Sequence, residues 1–275
     1  MHSHPLPLWP CIQAVSQRAP LVHNITNYVV MQTTANALLA FGASPVMAHA
    51  PEEIDAITGI ANALVLNIGT LSLPWVDSMK TALAKAREHG IPVVLDPVGA
   101  GASRLRTQTS LELIAAARAD KLIIRGNASE ILAIAGEKVT TKGVDSTISS
   151  SEAAEAAVRL ARECACTVCV SGEIDVVTDG KKMVKITGGH AMMTRVTGIG
   201  CSATALIGAV AGANPKASPL VLVSAAMSVM GAAGTLAHRV ASGPGSFLPA
   251  FLDALYAIQE KDLGLVSLCV EDISC

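Results

Sequence analysis

The run Val196-Thr197-Gly198-Ile199-Gly200-Cys201-Ser202-Ala203 concentrates more chemical potential than any other stretch of this 275-residue sequence. Glycines at 198 and 200 permit a tight backbone path, including positive φ, and let the main chain approach a ligand closely. Cys201-Ser202-Ala203-Thr204-Ala205-Leu206-Ile207 reads as the first turns of a helix. A helix opened by glycines presents free N–H groups at the positive end of its dipole, which is an anion site. A thiol in that first turn is expected to have a depressed pKa, because the same N–H groups stabilise a thiolate. The segment therefore offers an oxyanion or phosphate cradle beside a base or nucleophile. The same letters also suit a glycine turn feeding a closely packed helix of small residues, and a lone Gly-x-Gly decides little.

Other residue types could serve the same chemistry. Asp96-Pro97-Val98-Gly99-Ala100-Gly101 puts a carboxylate at the end of an apolar run and follows it with flexible backbone. Glu130 lies three residues after Asn127, which is capping-box spacing, so it either closes a helix or joins Asp96 in holding Mg²⁺. Arg125 beside Gly126 is placed to clamp a phosphate, or else is a solvated surface cation. Asn24 and Asn27 have the groups to hydrogen-bond a small polar heterocycle, or to cap a helix starting near Thr26. His23 reads as a structural hydrogen-bonding residue, and spacing alone gives His190 no role.

These residues need a scaffold, and the hydrophobic pattern supplies one. Short apolar strands are expected at 21–24, 44–47, 63–67, 91–96, 121–124 and 167–171. Helices are expected between them, at 7–18, 26–41, from Pro51, at 75–89, around Ser110–Arg118, from Asn127 and at 151–164. Ile174–Thr178 and Met183–Ile186 form a hairpin around Asp179-Gly180, and the rest is mostly helical after Gly198. Near-continuous apolar strands alternating with helices mean an α/β fold with a parallel sheet covered on both faces. Ligands in such sheets bind outside the carboxyl ends of the strands. Asn24, Met47, Asn67-Ile68-Gly69-Thr70, Asp96, Arg125-Gly126-Asn127 and Ser171-Gly172-Glu173 all leave strands there.

Composition narrows the partners. The chain is 51% hydrophobic but 3% aromatic, so its core is aliphatic, and a net charge of −2 argues against nucleic acid and anionic membranes. Met1-His2-Ser3-His4-Pro5 lacks the cationic start and apolar core of a signal peptide, and seven cysteines are an odd number. Both point to reduced thiols in the cytoplasm. Cys164, Cys166 and Cys169 are read as buried structural thiols rather than zinc ligands, since no fourth ligand is near. The uncharged run from Pro219 to Ala237 is long enough to cross a membrane, but its Ala, Ser and Gly content suits a buried helix. No linker divides the chain, so residues 1–275 are expected to be one domain.

His23-Asn24-Ile25-Thr26-Asn27, Gly42-Ala43-Ser44-Pro45-Val46-Met47, Asp96-Pro97-Val98-Gly99-Ala100-Gly101, Arg125-Gly126-Asn127-Ala128-Ser129-Glu130 and Thr197-Gly198-Ile199-Gly200-Cys201 resemble, in order and spacing, the hydroxyethylthiazole kinases. The resemblance implies a three-layer αβα ribokinase-like fold. It also implies ATP-dependent phosphorylation of the primary hydroxyl of 4-methyl-5-(2-hydroxyethyl)thiazole in thiamine salvage, Mg²⁺ dependence, and a homotrimer with active sites near subunit interfaces. By the resemblance, Asn24, Met47 and Gly198 face the thiazole, Arg125, Asn127 and Ser171 face ATP, and Asp96 and Glu130 lie by the metal. Gly198 and Gly200 then belong to the anion hole, and Cys201 stands where most ribokinase-like enzymes carry an Asp base. Three rivals remain: a thiol hydrolase or acyltransferase pairing Cys201 with His190, a nucleotide sensor without turnover, and a hydroxymethylpyrimidine or sugar kinase.

Overall fold

The computed structural model describes residues 6–117, 119–137 and 150–273. Arg118, the expected end of one helix, and Met1–Pro5 lie outside them. Nine strands form one sheet: β1 (Leu21–Ile25), β2 (Ser44–Val46), β3 (Ala63–Asn67), β4 (Val93–Asp96), β5 (Leu122–Asn127), β6 (Thr167–Ser171), β7 (Ile174–Thr178), β8 (Lys182–Thr187) and β9 (Ser267–Asp272). Their order across the sheet is β2-β1-β3-β4-β5-β6-β7-β8-β9. The pairings from β2 to β6 are parallel, and those from β6 to β9 are antiparallel.

Side-chain alternation along the strands sorts the core into two halves. Val65, Val94, Ile123 and Cys169 point to one face. There they meet α1 (Leu8–Arg18), α2 (Met31–Phe41), α8 (Ile199–Ala213), α9 (Pro219–Val240) and α10 (Pro244–Ala257). Leu64, Leu66, Leu95, Ile124 and Val168 point to the other. That face is covered by α3 (Pro51–Ile60), α4 (Leu73–His89), α5 (Arg104–Ala116), α6 (Ala128–Ile134) and α7 (Ser150–Cys164). The result is the three-layer αβα arrangement expected of apolar parallel strands. Each fully buried Leu or Ile contributes roughly 1.5–3 kcal/mol of transfer free energy, so this double packing fixes the sheet that carries the site. Helix α9 is the apolar run singled out in the sequence; 83% of its most apolar window is buried.

Several boundaries differ from expectation. Helix α2 begins at Met31 rather than Thr26, because 26–30 is a turn: the Thr26 carbonyl accepts from Trp75 Nε1 at 3.2 Å and the Asn27 side chain accepts from Val29 N at 3.2 Å. Helix α5 begins at Arg104, where Ser103 Oγ caps Arg106 N at 3.3 Å. Helix α8 begins at Ile199, two residues before Cys201. Strand β9 lies in a stretch expected to be helical, and its register against β8 runs from Lys182↔Asp272 to Thr187↔Ser267.

Candidate active site at the carboxyl edge of the sheet

The chain leaves β1 for β2 at the edge and then returns across β1 to place β3 on the other side. This reversal opens a crevice at the carboxyl ends of β1 and β3, the place where open α/β sheets bind ligands. The β3–β4 register pairs Asn67 with Asp96, and the β5–β6 register pairs Asn127 with Ser171.

Helix α8 starts over this edge. Its N-cap, Gly198, has φ +92°, and a Cβ there would lie 3.0 Å from Thr33 Cγ2, so both conformation and space require glycine. The Ser202 N–H bonds back to the Gly198 carbonyl at 2.8 Å, and the preceding N–H groups of Ile199, Gly200 and Cys201 are the ones that lack an intrahelical acceptor. The Arg125 guanidinium packs on this turn: a Cβ on Gly200 would lie 3.1 Å from Arg125 Nη1.

Around the turn the polar side chains form one network. Asn67 Nδ2 donates to Cys201 Sγ at 3.2 Å and to Asp96 Oδ2 at 3.0 Å. Asn27 Nδ2 donates to Asn67 Oδ1 at 2.8 Å and approaches Cys201 Sγ at 3.7 Å. Thr204 Oγ1, one turn along α8, donates to Asp96 Oδ2 at 2.7 Å. Arg125 Nη1 lies 3.7 Å from the same oxygen, and its Nη2 donates to Ser171 Oγ at 2.6 Å. Asp96 Oδ1 is buried and has no hydrogen-bond partner among the described residues.

Burial dominates the electrostatics. It pushes Asp96 up to about 7 against the pull of Arg125, with the Glu130 charge adding to the rise and the bonds from Thr204 and Asn67 opposing it. It also pushes the Cys201 thiol up to about 11, aided by the Asp96 charge and opposed by Asn67, Arg125 and Asn27. The depressed thiol expected from a helix N-terminus is therefore corrected: desolvation outweighs the N–H groups, and Cys201 is a neutral thiol at pH 7.

Glu130 is both a cap and a bridge. Its Oε2 accepts from Asn127 N and its Oε1 from Gly99 N, each at 2.8 Å, which ties the loop after Asp96 to the start of α6. Asn127 completes the capping box, its Oδ1 accepting from Glu130 N at 2.9 Å and from Ser129 Oγ at 2.8 Å. Asn24 Nδ2 donates to the Val22 carbonyl at 2.8 Å, while its Oδ1 is buried without a partner. Met47, half-buried, follows β2 directly.

Cys201, Gly198, Gly200, Arg125, Ser171, Asp96, Glu130 and Asn127 thus gather on one edge, with Asn24 and Met47 at the ends of neighbouring β1 and β2. His23 and His190 stay out of this network. His23 is buried between the Thr58 hydroxyl (3.1 Å from Nδ1) and the Ala48 carbonyl (2.8 Å from Nε2), which is the structural role its context suggested. His190 accepts from Met192 N and stacks on His238 with ring centroids 3.3 Å apart. Among the described residues the hydrogen-bond partners of Cys201 are two amides and no imidazole, so these residues do not build the thiol-hydrolase arrangement. The sequence placed Asn67 at the carboxyl edge without giving it a role, and it singled out neither Thr204 nor Arg106. Arg106 reaches the Val98 and Gly69 carbonyls at 2.5 Å each and ties the β3 and β4 loops together. The signal for Asn67 was a polar residue closing the apolar run Ala63-Leu64-Val65-Leu66; Thr204 and Arg106 gave none, because helical spacing does not reveal which strand end a residue will meet.

Sheet order and edge together define a ribokinase-like α/β protein. Pyridoxal kinase from Staphylococcus aureus in complex with ADP superposes with a TM-score of 0.66 over 92% of this chain and 99% of that one, at 15% identity, a likeness of fold alone. Sequence sets the family. The model of the hydroxyethylthiazole kinase family matches residues 12–261. Hydroxyethylthiazole kinase from Oleidesulfovibrio alaskensis is 56% identical over 256 residues, 93% of this chain and 95% of that one. The structure of hydroxyethylthiazole kinase from Pyrococcus horikoshii OT3 is 42% identical with a TM-score of 0.85, covering 96% and 98% of the two chains. The chain belongs to the hydroxyethylthiazole kinase family. It is a kinase that transfers phosphate from ATP to the alcohol of 4-methyl-5-(2-hydroxyethyl)thiazole, a role in thiamine salvage that follows from the family.

Proposed function

We propose that this transfer takes place at the Asp96–Cys201–Arg125 edge, within a single kinase domain spanning residues 1–275. The observation that carries the reading is the Asn67-linked pair of Cys201 and Asp96 lying against the free N–H groups that open α8. Phosphoryl transfer needs little covalent help from the protein; it needs an in-line acceptor and donors aimed at the charge on the transferring group. The N–H groups of Ile199, Gly200 and Cys201, with the dipole of α8, serve as those donors. Arg125 and Ser171, joined at 2.6 Å, hold the ATP phosphates, with Asn127 shaping the adjoining backbone through its cap. Asn24, through its unpartnered Oδ1, Met47 and the Gly198 backbone bind the thiazole. Cys201, a neutral thiol, orients the acceptor hydroxyl by hydrogen bonding. The hydroxyl proton passes to an oxygen of the transferring phosphoryl group as the new oxygen–phosphorus bond forms and the bond to ADP breaks.

The donor set suits Mg²⁺: Asp96 Oδ1 is a buried oxygen without a partner, and Glu130 lies close enough to raise its pKa by charge. Asp96 would hold the ion and Glu130 would act through its waters. The ion's chemistry is to neutralise charge on the phosphates. A homotrimer with sites near subunit boundaries is supported by Tyr28 and Val29, 63% and 64% exposed, which follow Asn27 at the mouth of the site. The net charge of −2 and the cysteine usage support a cytoplasmic enzyme with small-molecule partners.

The test is ATP consumption by the purified protein over thiazole, hydroxymethylpyrimidine and sugar alcohols, with and without chelator. Strong turnover with the thiazole alcohol alone, abolished by chelation, is expected. A preference for a pyrimidine or a sugar would overturn the substrate assignment, and full activity under chelation would overturn the metal. Sedimentation with dilution of an active enzyme tests the trimer; full activity as a monomer would refute it.

A further inference from the structure

We infer that Asn67 is a positioning residue for the transfer: its carboxamide locks Cys201 and Asp96 in one relative placement, and Asn27 braces it. The inference rests on the site proposed above. A carboxamide has two donor hydrogens and an oxygen with two lone pairs, four bonds in all. Asn67 makes all four. It donates to Cys201 Sγ at 3.2 Å and Asp96 Oδ2 at 3.0 Å, and it accepts from Asn27 Nδ2 at 2.8 Å and Gly69 N at 3.0 Å. This pattern fixes the amide orientation, since a flip would set its oxygen against the Asp96 carboxylate and its NH₂ against two other donors.

A side chain so fully engaged has nothing left to offer a ligand, so it serves by holding its neighbours. Those neighbours sit on different elements, Cys201 on α8 and Asp96 at the end of β4, and among the described residues their only common side-chain partner in hydrogen-bond contact is Asn67. Among the described residues Cys201 Sγ has two side-chain donors, both amides of this pair, and Asn67 is 1% exposed, so solvent cannot replace it. Without the amide, Cys201 regains the choice among staggered rotamers and the acceptor hydroxyl loses a fixed partner.

A double-mutant cycle tests this. Asn67→Leu keeps the side-chain shape and deletes all four bonds. We expect kcat to fall about 10- to 100-fold, with KM for ATP and for the thiazole alcohol changed less than about threefold. In a Cys201→Ala background the same substitution should cost clearly less than it does in the wild-type protein, because one of the two groups it positions is already gone. Losses that multiply in the double variant, or a raised KM with unchanged kcat, overturn the inference. If Asn67→Leu does not fold, Asn27→Ala removes the brace and should show the same non-additivity with a smaller loss; additivity there also overturns it. If the wild-type protein fails to phosphorylate the thiazole alcohol, the proposed function has failed instead. The positioning is then read directly from iodoacetamide labelling of Cys201 by peptide mass. Asn67→Leu or Asn27→Ala should slow labelling up to about tenfold, and an unchanged rate overturns the inference.

Discussion

The parallel and antiparallel parts of the sheet are built from the same kinds of apolar strand and do different work. From β2 to β6 every strand runs one way, so Asn24, Asn67, Asp96, Asn127 and Ser171 arrive at one edge without any long-range search. In the antiparallel part, strand ends alternate between edges. Its side chains instead form cross-strand pairs such as Lys185 with Glu271. A recess lined by Ala154, Val158, Ile174, Val176 and Met183 and rimmed by Arg159, Lys185 and Glu271 also lies on that side, and it shares no lining residue with the candidate site. The hairpin of β7 and β8 contributes one thing to the site: it returns the chain to the carboxyl edge, where the Gly198 turn can open α8. Direction of strands, rather than their composition, decides where function can collect.

Asp96→Asn should break the parallel side most severely. The substitution keeps shape but removes the only buried carboxylate with an unpartnered oxygen in the network. Turnover should fall by about 10³-fold, while the protein stays folded, because a charge whose pKa burial raises to about 7 is not needed for packing. Steady-state kinetics beside a thermal melt check this; activity within tenfold of wild type would remove Asp96 from the machinery.

Cys201 should show the next largest effects. With its thiol at about 11 instead of the ordinary 9.0, its thiolate fraction at pH 8 is roughly 100-fold below that of an unshifted cysteine. Iodoacetamide should therefore label it far more slowly than the exposed Cys269. Cys201→Ala should lower turnover about 10²-fold and leave measurable kinase activity, since the helix N–H groups and Arg125 remain. Cys201→Asp should retain activity. An inactive but folded and substrate-binding Cys201→Asp would overturn the role given to Cys201.

Much of this contrast was legible in the residues themselves. Apolar strands, the hairpin at Asp179-Gly180 and the Asn127–Glu130 capping box all follow from local rules, and so did the polar residues at strand ends. What was not legible depends on burial and on distant partners. The Cys201 shift went the wrong way because the sequence shows the helix N-terminus and conceals the desolvation. Strand β9 was missed because Ser-Leu-Cys-Val-Glu-Asp has weak alternation and is held chiefly by its pairing with β8. The expected start of α2 is too early because the helical period of the sequence runs back to Thr26, whereas Asn27 turns its side chain to Asn67.

Glu130→Gln sharpens the comparison from within the parallel part. Glutamine can replace only one of the two acceptors that Glu130 offers to Gly99 N and Asn127 N. Stability should fall by about 1–2 kcal/mol and turnover by about tenfold at limiting Mg²⁺, with thiazole affinity nearly unchanged. Wild-type turnover under those conditions would reduce Glu130 to a helix cap.

His23 gives the parallel part a pH dependence. Burial lowers its pKa from 6.5, against the Ala48 carbonyl and Glu53, so below pH 6.5 the unfolded chain takes up a proton that the folded one refuses. Stability should be fully present above that pH and should decline as pH falls toward the lowered folded value. Urea melts between pH 7 and 5 check the slope, and His23→Gln should flatten it.

The smallest effect belongs to the antiparallel part. Lys185 and Glu271 form a 2.8 Å ion pair between β8 and β9, but their side chains are 40% and 45% exposed. Water and salt screen such a pair, and ordering two long side chains offsets most of its attraction. Lys185→Ala should therefore leave both melting temperature and turnover within measurement error, as should the double variant with Glu271→Ala. If instead Lys185→Ala lowers kcat, the antiparallel strands do more than return the chain to the edge, and the division between the two parts of the sheet fails.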